Sequence, residues 1–158
     1  MRRFESLAEY YTGTIKKAAT KKGRPFVLGL TSHARGFSNY PKIPWGPFVE
    51  VSNILLPQTY WRYYDDKTRA CKDENQGSPD SAVRIGYTDY GPKGKPVIPV
   101  AGEIRCATVQ EIAAFGKILA DKDLIDGHFY VNNSNVSPDV LQAIKALSPK
   151  SDAPASIV

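Results

Sequence analysis

Residues 53–61 read Asn-Ile-Leu-Leu-Pro-Gln-Thr-Tyr-Trp, an apolar run followed by polar and aromatic side chains. This order is typical of a buried parallel strand whose carboxyl end opens onto a site. Three other stretches share it, at residues 26–33, 96–103 and 128–133. Ligands of α/β folds bind beyond the carboxyl ends of the strands. Four such ends therefore predict one shared site.

Helical patterns alternate with these strands. Ser78-Pro79-Asp80 and Ser137-Pro138-Asp139 are typical helix starts, and Thr108 with Glu111 forms a capping box. Apolar residues three and four apart predict a first helix over residues 4–19. The sequence predicts strands at 26–31, 54–60, 96–101 and 128–131, further helices starting near 48, 78, 108 and 137, and long loops at 34–47 and 62–77. The second loop is expected to be a lid or disordered.

This alternation predicts an α/β fold with a parallel sheet covered by helices. A closed eight-stranded barrel takes about 200 to 250 residues, and this chain of 158 has about half of the elements. The predicted architecture is four β/α units forming half of a TIM-type (β/α)8 barrel. The alternative is a small open parallel sheet with helices on both faces. One domain is expected over residues 1–147, followed by a flexible tail at 148–158.

The composition restricts the classes of function. A formal net charge of +5 is modest, and the aromatic residues are not interleaved with the lysines, so nucleic-acid binding is not expected. No apolar run reaches the length of a membrane span, and no secretory signal is recognisable. Cys71 and Cys106 match no zinc pattern and are expected to be unpaired, which favours a reducing, cytoplasmic or virion-associated location. No phosphate-binding or dinucleotide motif is present, so neither cofactor nor metal is expected.

Four short motifs carry a family resemblance. They are Pro57-Gln58-Thr59-Tyr60-Trp61, Lys-Pro-Val-Ile-Pro-Val at 95–100, Thr-Val-Gln-Glu-Ile-Ala-Ala-Phe at 108–115 and Gly-His-Phe-Tyr at 127–130. Together the motifs resemble the C-terminal half of glycoside-hydrolase-like TIM barrels of bacterial and phage cell-wall-associated proteins. The resemblance covers about residues 26–147 and implies contact with a polysaccharide. The family pattern has four earlier β/α units, whose catalytic residues have no counterpart here.

Glycoside hydrolysis needs two carboxyl groups, about 5 to 5.5 Å apart for retention or about 6.5 to 9.5 Å apart for inversion. Glu103 follows an apolar strand, where partial burial would suit a general acid; the alternative is a loop carboxylate paired with Arg105. Aromatic rings can stack on sugars or pack in the core, and amides can bind hydroxyls. The candidate catalytic residues are Glu103, Asp65 and Asp66, and the candidate substrate-binding residues are His33, Gln58, Tyr60, Trp61, Arg105, Asn132 and Asn133.

Two functions remain open at this point. The first is a glycoside-hydrolase-like half barrel that recognises or hydrolyses a cell-wall-type polysaccharide, with Glu103 as the general acid. The second is a non-catalytic structural or adaptor protein of a virion or envelope assembly, built on the same scaffold. In both cases half a barrel leaves one sheet face and two strand edges uncovered. A homo-oligomer or a larger protein assembly is therefore expected.

Overall fold

A computed structural model describes residues 2–21, 27–124, 126–130 and 136–147. They form a mixed α/β fold in which a parallel sheet has the order β1-β2-β5-β6, and β3 and β4 form a separate antiparallel hairpin. The strands are β1 (Gly29–His33), β2 (Ile54–Thr59), β3 (Arg62–Asp65), β4 (Ala70–Asp73), β5 (Val100–Glu103) and β6 (His128–Tyr130). The helices are α1 (Arg2–Lys21), α2 (Gly36–Asn39), α3 (Trp45–Val51), α4 (Pro79–Tyr90), α5 (Val109–Asp121) and α6 (Pro138–Leu147).

The parallel sheet and the helices between its strands confirm the predicted α/β class. The strand at 54–60 is confirmed as β2, but β1 and β5 begin later than predicted. In β5 the reason is the pair of prolines at 96 and 99, which cannot donate to the ladder. Only an isolated bridge between Val97 and Leu55 precedes β5. Residue 131 and the tail at 148–158 lie outside the described residues.

Both predicted loops contain regular structure, so those two predictions were wrong. Residues 34–47 include α2 and the first turn of α3, where Pro47 is tolerated because the amides of a first helical turn have no intrahelical partner. Residues 62–77 are not disordered. They form the β3–β4 hairpin, followed by one short 3-10 turn at Asn75–Gly77.

One face of the sheet packs against the helices. Leu55, Pro57 and Thr59 point to this face, and α4 approaches it closely at Gly86. A Cβ atom at Gly86 would lie 2.5 Å from Cγ2 of Thr59, so only glycine fits there. Two buried clusters fill the space between the sheet and the helices. The first contains Trp61, Ala82, Val83, Ala101, Ile104, Ile112, Phe115, Ile118 and Val140, and the second contains Phe37, Leu55, Tyr90 and Val97.

The alternate strand residues form the opposite face of the sheet. Thr31, Ile54, Leu56, Gln58 and Val100 share it by strand register, and we call this the open face. None of these five residues belongs to either buried cluster, whereas helices α2 to α6 contribute to or pack on those clusters. The described residues therefore place the sheet-covering helices on one side, not on both.

Candidate functional site

The carboxyl ends of the four parallel strands lie at the same edge of the sheet. Strand β1 ends at His33, β2 at Thr59, β5 at Glu103 and β6 at Tyr130. Within the ladder, His33 is paired with Gln58, and Glu103 is paired with Tyr130. Because β2 and β5 are neighbours, the ends that carry Gln58 and Glu103 are adjacent and not on opposite sides of the sheet. We call this region the carboxyl edge.

His33 and Gln58 form the polar part of the open face. The Gln58 side-chain amide N–H donates to the Thr31 hydroxyl over 3.5 Å, a long bond that does not involve the amide oxygen. Nδ1 of His33 accepts a hydrogen bond from the backbone N–H of Arg35 at 3.0 Å. A neutral His33 ring therefore carries its proton on Nε2 and can donate it to a ligand.

Glu74 is a member of this edge that the sequence reasoning did not select. Its backbone N–H donates to the carbonyl of Trp61 at 2.8 Å, which places it beside the β2–β3 corner. Burial raises the pKa of the Glu74 carboxyl, and the nearby His33 partly opposes that rise. In the sequence Glu74 is one of several charges in a polar stretch, and no local signal separates it from Asp73.

The Glu103 side chain is fixed by an ion pair and by a hydrogen bond from the backbone. Its Oε1 lies 2.5 Å from Nη2 of Arg105, a close ion pair that lacks hydrogen-bond geometry, and its Oε2 accepts the Tyr64 backbone N–H at 3.2 Å. The Arg105 guanidinium also stacks on the Tyr64 ring, 3.5 Å from its centroid. Glu103 is only 8% exposed. The carboxylate thus joins β5 to the β3–β4 hairpin, and the predicted pairing with Arg105 is present in a buried form.

Asp65 and Asp66 belong to the hairpin turn. The side chain of Asp65 pairs with Lys72 and also accepts the backbone N–H groups of Lys67, at 2.8 Å, and Thr68, at 3.3 Å. The hydrogen bond from Lys72, supported by the bond from Lys67, lowers the pKa of the Asp65 carboxyl to about 2. Asp66 is exposed in the same turn. Asp65 is therefore a carboxylate that stabilises the turn and stays ionised at neutral pH.

The aromatic candidates separate into buried and accessible residues. Trp61 is 2% exposed and packs on Phe115, with ring centroids 5.6 Å apart, so its faces are part of the core. Tyr60 is half-buried at the β2–β3 corner, and Tyr63 in β3 is 40% exposed. Asn132 and Asn133, the remaining candidates for substrate contact, lie outside the described residues.

Cys71 and Cys106 form a disulfide, with their Cα atoms 5.6 Å apart. The expectation of unpaired thiols was wrong, and so was the reducing location that was inferred from it. The two cysteines meet because the β3–β4 hairpin folds back toward the end of β5. Cys71 lies in β4 opposite Tyr64, and the Glu103–Arg105 contacts with Tyr64 bring the β3–β4 hairpin against the turn that contains Cys106.

Neither a metal cluster nor a membrane-spanning helix is found within the described ranges. No three acidic, histidine or cysteine side chains there are grouped so that they could hold a metal ion. No helix there is both long and apolar enough to cross a membrane. Comparison with known proteins finds no matching family model, no similar curated protein and no similar solved structure.

Proposed function

We propose that this chain is a glycoside-hydrolase-like half barrel that recognises a cell-wall-type polysaccharide at the carboxyl edge. The observation that carries the proposal is the pairing of His33 with Gln58 on the open face, beside the half-buried carboxyl of Glu74. An imidazole N–H, a primary amide and a carboxyl within one polar patch offer donors and acceptors to sugar hydroxyls. Tyr60 and Tyr63 at the adjoining corner add aromatic rings, which suit the apolar faces of sugar rings.

The stagger of the strands supports the half-barrel part of this proposal. His33, the last residue of β1, pairs with Gln58 near the end of β2, which pairs with Val100, the first residue of β5. Val100 in turn pairs with His128, the first residue of β6. The register thus leads from the last residue of β1 to the first residue of β6, so the strands are staggered in one direction, as the strands of a closed barrel are.

The environments of the carboxylates favour recognition over cleavage. Glu103 forms an ion pair with Arg105, and Asp65 forms an ion pair with Lys72. Neither carboxylate is therefore in a suitable environment to donate a proton to a glycosidic oxygen. Those same ion pairs favour the second candidate function, a non-catalytic structural or adaptor protein. The two candidates differ in whether the carboxyl edge binds sugar at all.

Sedimentation of the purified protein with insoluble peptidoglycan, followed by titration with soluble peptidoglycan fragments, tests the proposal. We expect binding without release of reducing ends. Gln58→Ala should weaken binding by about fivefold to tenfold, the effect of losing one ligand hydrogen bond. Gln142→Ala is the matched control, because Gln142 is exposed in the middle of α6, away from the strand ends.

Two results would contradict this function. Equal affinities of the Gln58→Ala and Gln142→Ala variants would remove the carboxyl edge from the binding site. An absence of binding to any cell-wall polysaccharide would leave the adaptor function as the better explanation. Release of reducing ends that is lost in Glu74→Gln would instead indicate hydrolysis, with Glu74 as its acid.

A further inference from the structure

Helix α1 presents its larger apolar side chains outward. It packs on α3, and its buried positions are the small residues Ala8 and Thr12. The large residues lie along one adjoining stripe at helical spacing. They are Phe4, Leu7, Tyr11 and Ile15, which are 67%, 48%, 55% and 41% exposed. We call this the α1 stripe. An apolar stripe of this size on a surface helix marks a contact with another element.

The other end of the sheet carries a complementary feature. Helix α6 buries Val140 but leaves Leu141 42% exposed. Strands β1 and β6 are the two outer strands of the sheet, and within the described residues no strand pairs with the outer side of either one. The chain thus has two open edges of the same polarity. A helix with exposed apolar side chains adjoins each edge strand in the chain: α1 precedes β1 and packs on α3, and α6 follows β6 and packs on α5.

We infer that these two edges bind each other between two copies of the chain, so that two half barrels close into one eight-stranded barrel. A rotation by 180° about the barrel axis brings β6 of one copy beside β1 of the other with parallel polarity. It also brings α6 of one copy beside the α1 stripe of the other. The four strands of each copy are staggered in one direction, which is the arrangement that closure of a barrel requires.

This pairing accounts for the open face as well. Ile54, Leu56 and Val100 carry apolar side chains that belong to neither buried cluster, and in a closed barrel this face becomes the packed interior. The inference rests on the half-barrel part of the proposed function and names its partner. Each copy would supply its own His33, Gln58 and Glu74 to one end of the barrel, so the binding site would be complete only in the dimer.

Sedimentation equilibrium of the whole chain over a wide concentration range tests the inference. We expect a species of twice the 17.4 kDa chain mass. Tyr11→Glu should raise the dissociation constant by roughly a hundredfold or more, because the substitution occurs twice per dimer in a desolvated contact. Tyr10→Glu is the matched control, since Tyr10 is 68% exposed and lies about 100° around the helix from Tyr11.

Leu141→Asp tests the other half of the contact and should also dissociate the dimer. All three residues are exposed, so circular dichroism should show folded monomers for the dissociated variants. A wild-type monomer at every concentration overturns the inference. A dimer lost in Tyr11→Glu but kept in Leu141→Asp also overturns it, because α1 would then meet something other than α6.

The two proposals fail separately. A dimer with these mutational effects that binds no peptidoglycan refutes the proposed recognition and supports the pairing of half barrels. A monomer that binds peptidoglycan through Gln58 refutes the pairing and supports recognition.

Discussion

Removal of the disulfide between Cys71 and Cys106 should destabilise the fold substantially. The two residues are 35 apart in the sequence. In the chain-entropy model, closing a loop of that length in the unfolded state contributes about 3.8 kcal/mol to the free energy of unfolding. The variant to use is Cys71→Ser with Cys106→Ala, because Cys71 is exposed whereas Cys106 is buried, at 7% exposure. An alanine there adds only a small packing loss.

Urea unfolding measures this loss. Trp61 is buried on Phe115, so its fluorescence reports unfolding of the main core. With a slope near 2 kcal/mol per molar urea, a loss of about 3.8 kcal/mol should lower the midpoint by about 2 M. Wild-type protein in a phosphine reductant should unfold near the midpoint of the variant, and the variant itself should not respond to the reductant.

Two observations would refute this reasoning. A loss below about 1 kcal/mol would mean that the unfolded chain gains little freedom when the bond is removed, contrary to the loop-closure account. Titration of two free thiols per native chain, purified without reductant, would mean that the bond is absent. Titration of none before reduction and two after it is the expected result.

Three further predictions concern single side chains, each measured by the same urea unfolding. Glu103→Gln should cost about 1.5 to 3 kcal/mol, because Arg105 loses its buried counter-charge; an equal cost in an Arg105→Met background would contradict that coupling. Glu74→Gln should stabilise the protein at pH 7. The raised pKa means that the folded state disfavours the charged carboxyl, so the gain should fade as the pH falls through the raised folded pKa and be absent below the unfolded carboxyl pKa. A gain independent of pH would contradict this reasoning. Thr108→Ala should cost about 1 kcal/mol by removing the α5 capping box while Thr108→Ser stays near wild type, and equal stabilities of the two variants would exclude that role.

Local signals predicted the elements that depend on local physics. The apolar run of β2 and the helix starts at Ser78 and Thr108 lie where the sequence placed them, because capping and burial are fixed by neighbouring residues. The β3–β4 hairpin could not be predicted from such local signals. Its strands have only four residues each, β4 is largely exposed, and Arg62 and Lys72 interrupt any apolar alternation.

The candidate site was predictable in position and much less so in detail. Strand polarity placed Gln58 and Glu103 at adjacent strand ends without any knowledge of the side chains. The Tyr64 backbone N–H that binds Glu103 comes from the hairpin, and so does one cysteine of the disulfide. Both depend on residues about 35 to 40 positions apart meeting in space, which no local pattern encodes.

The order of the strands has a consequence for synthesis. In the parallel sheet β2 pairs with β1, β5 pairs with β2, and β6 pairs with β5. The pairing partner of each new strand has therefore already been synthesised. A nascent chain leaving the ribosome can therefore extend the sheet from its N-terminal side without waiting for a later segment. The disulfide can form only after β5 has been synthesised, because Cys106 follows β5 in the chain. Disulfide formation then links the β3–β4 hairpin to the segment that follows β5, which is already paired with β2.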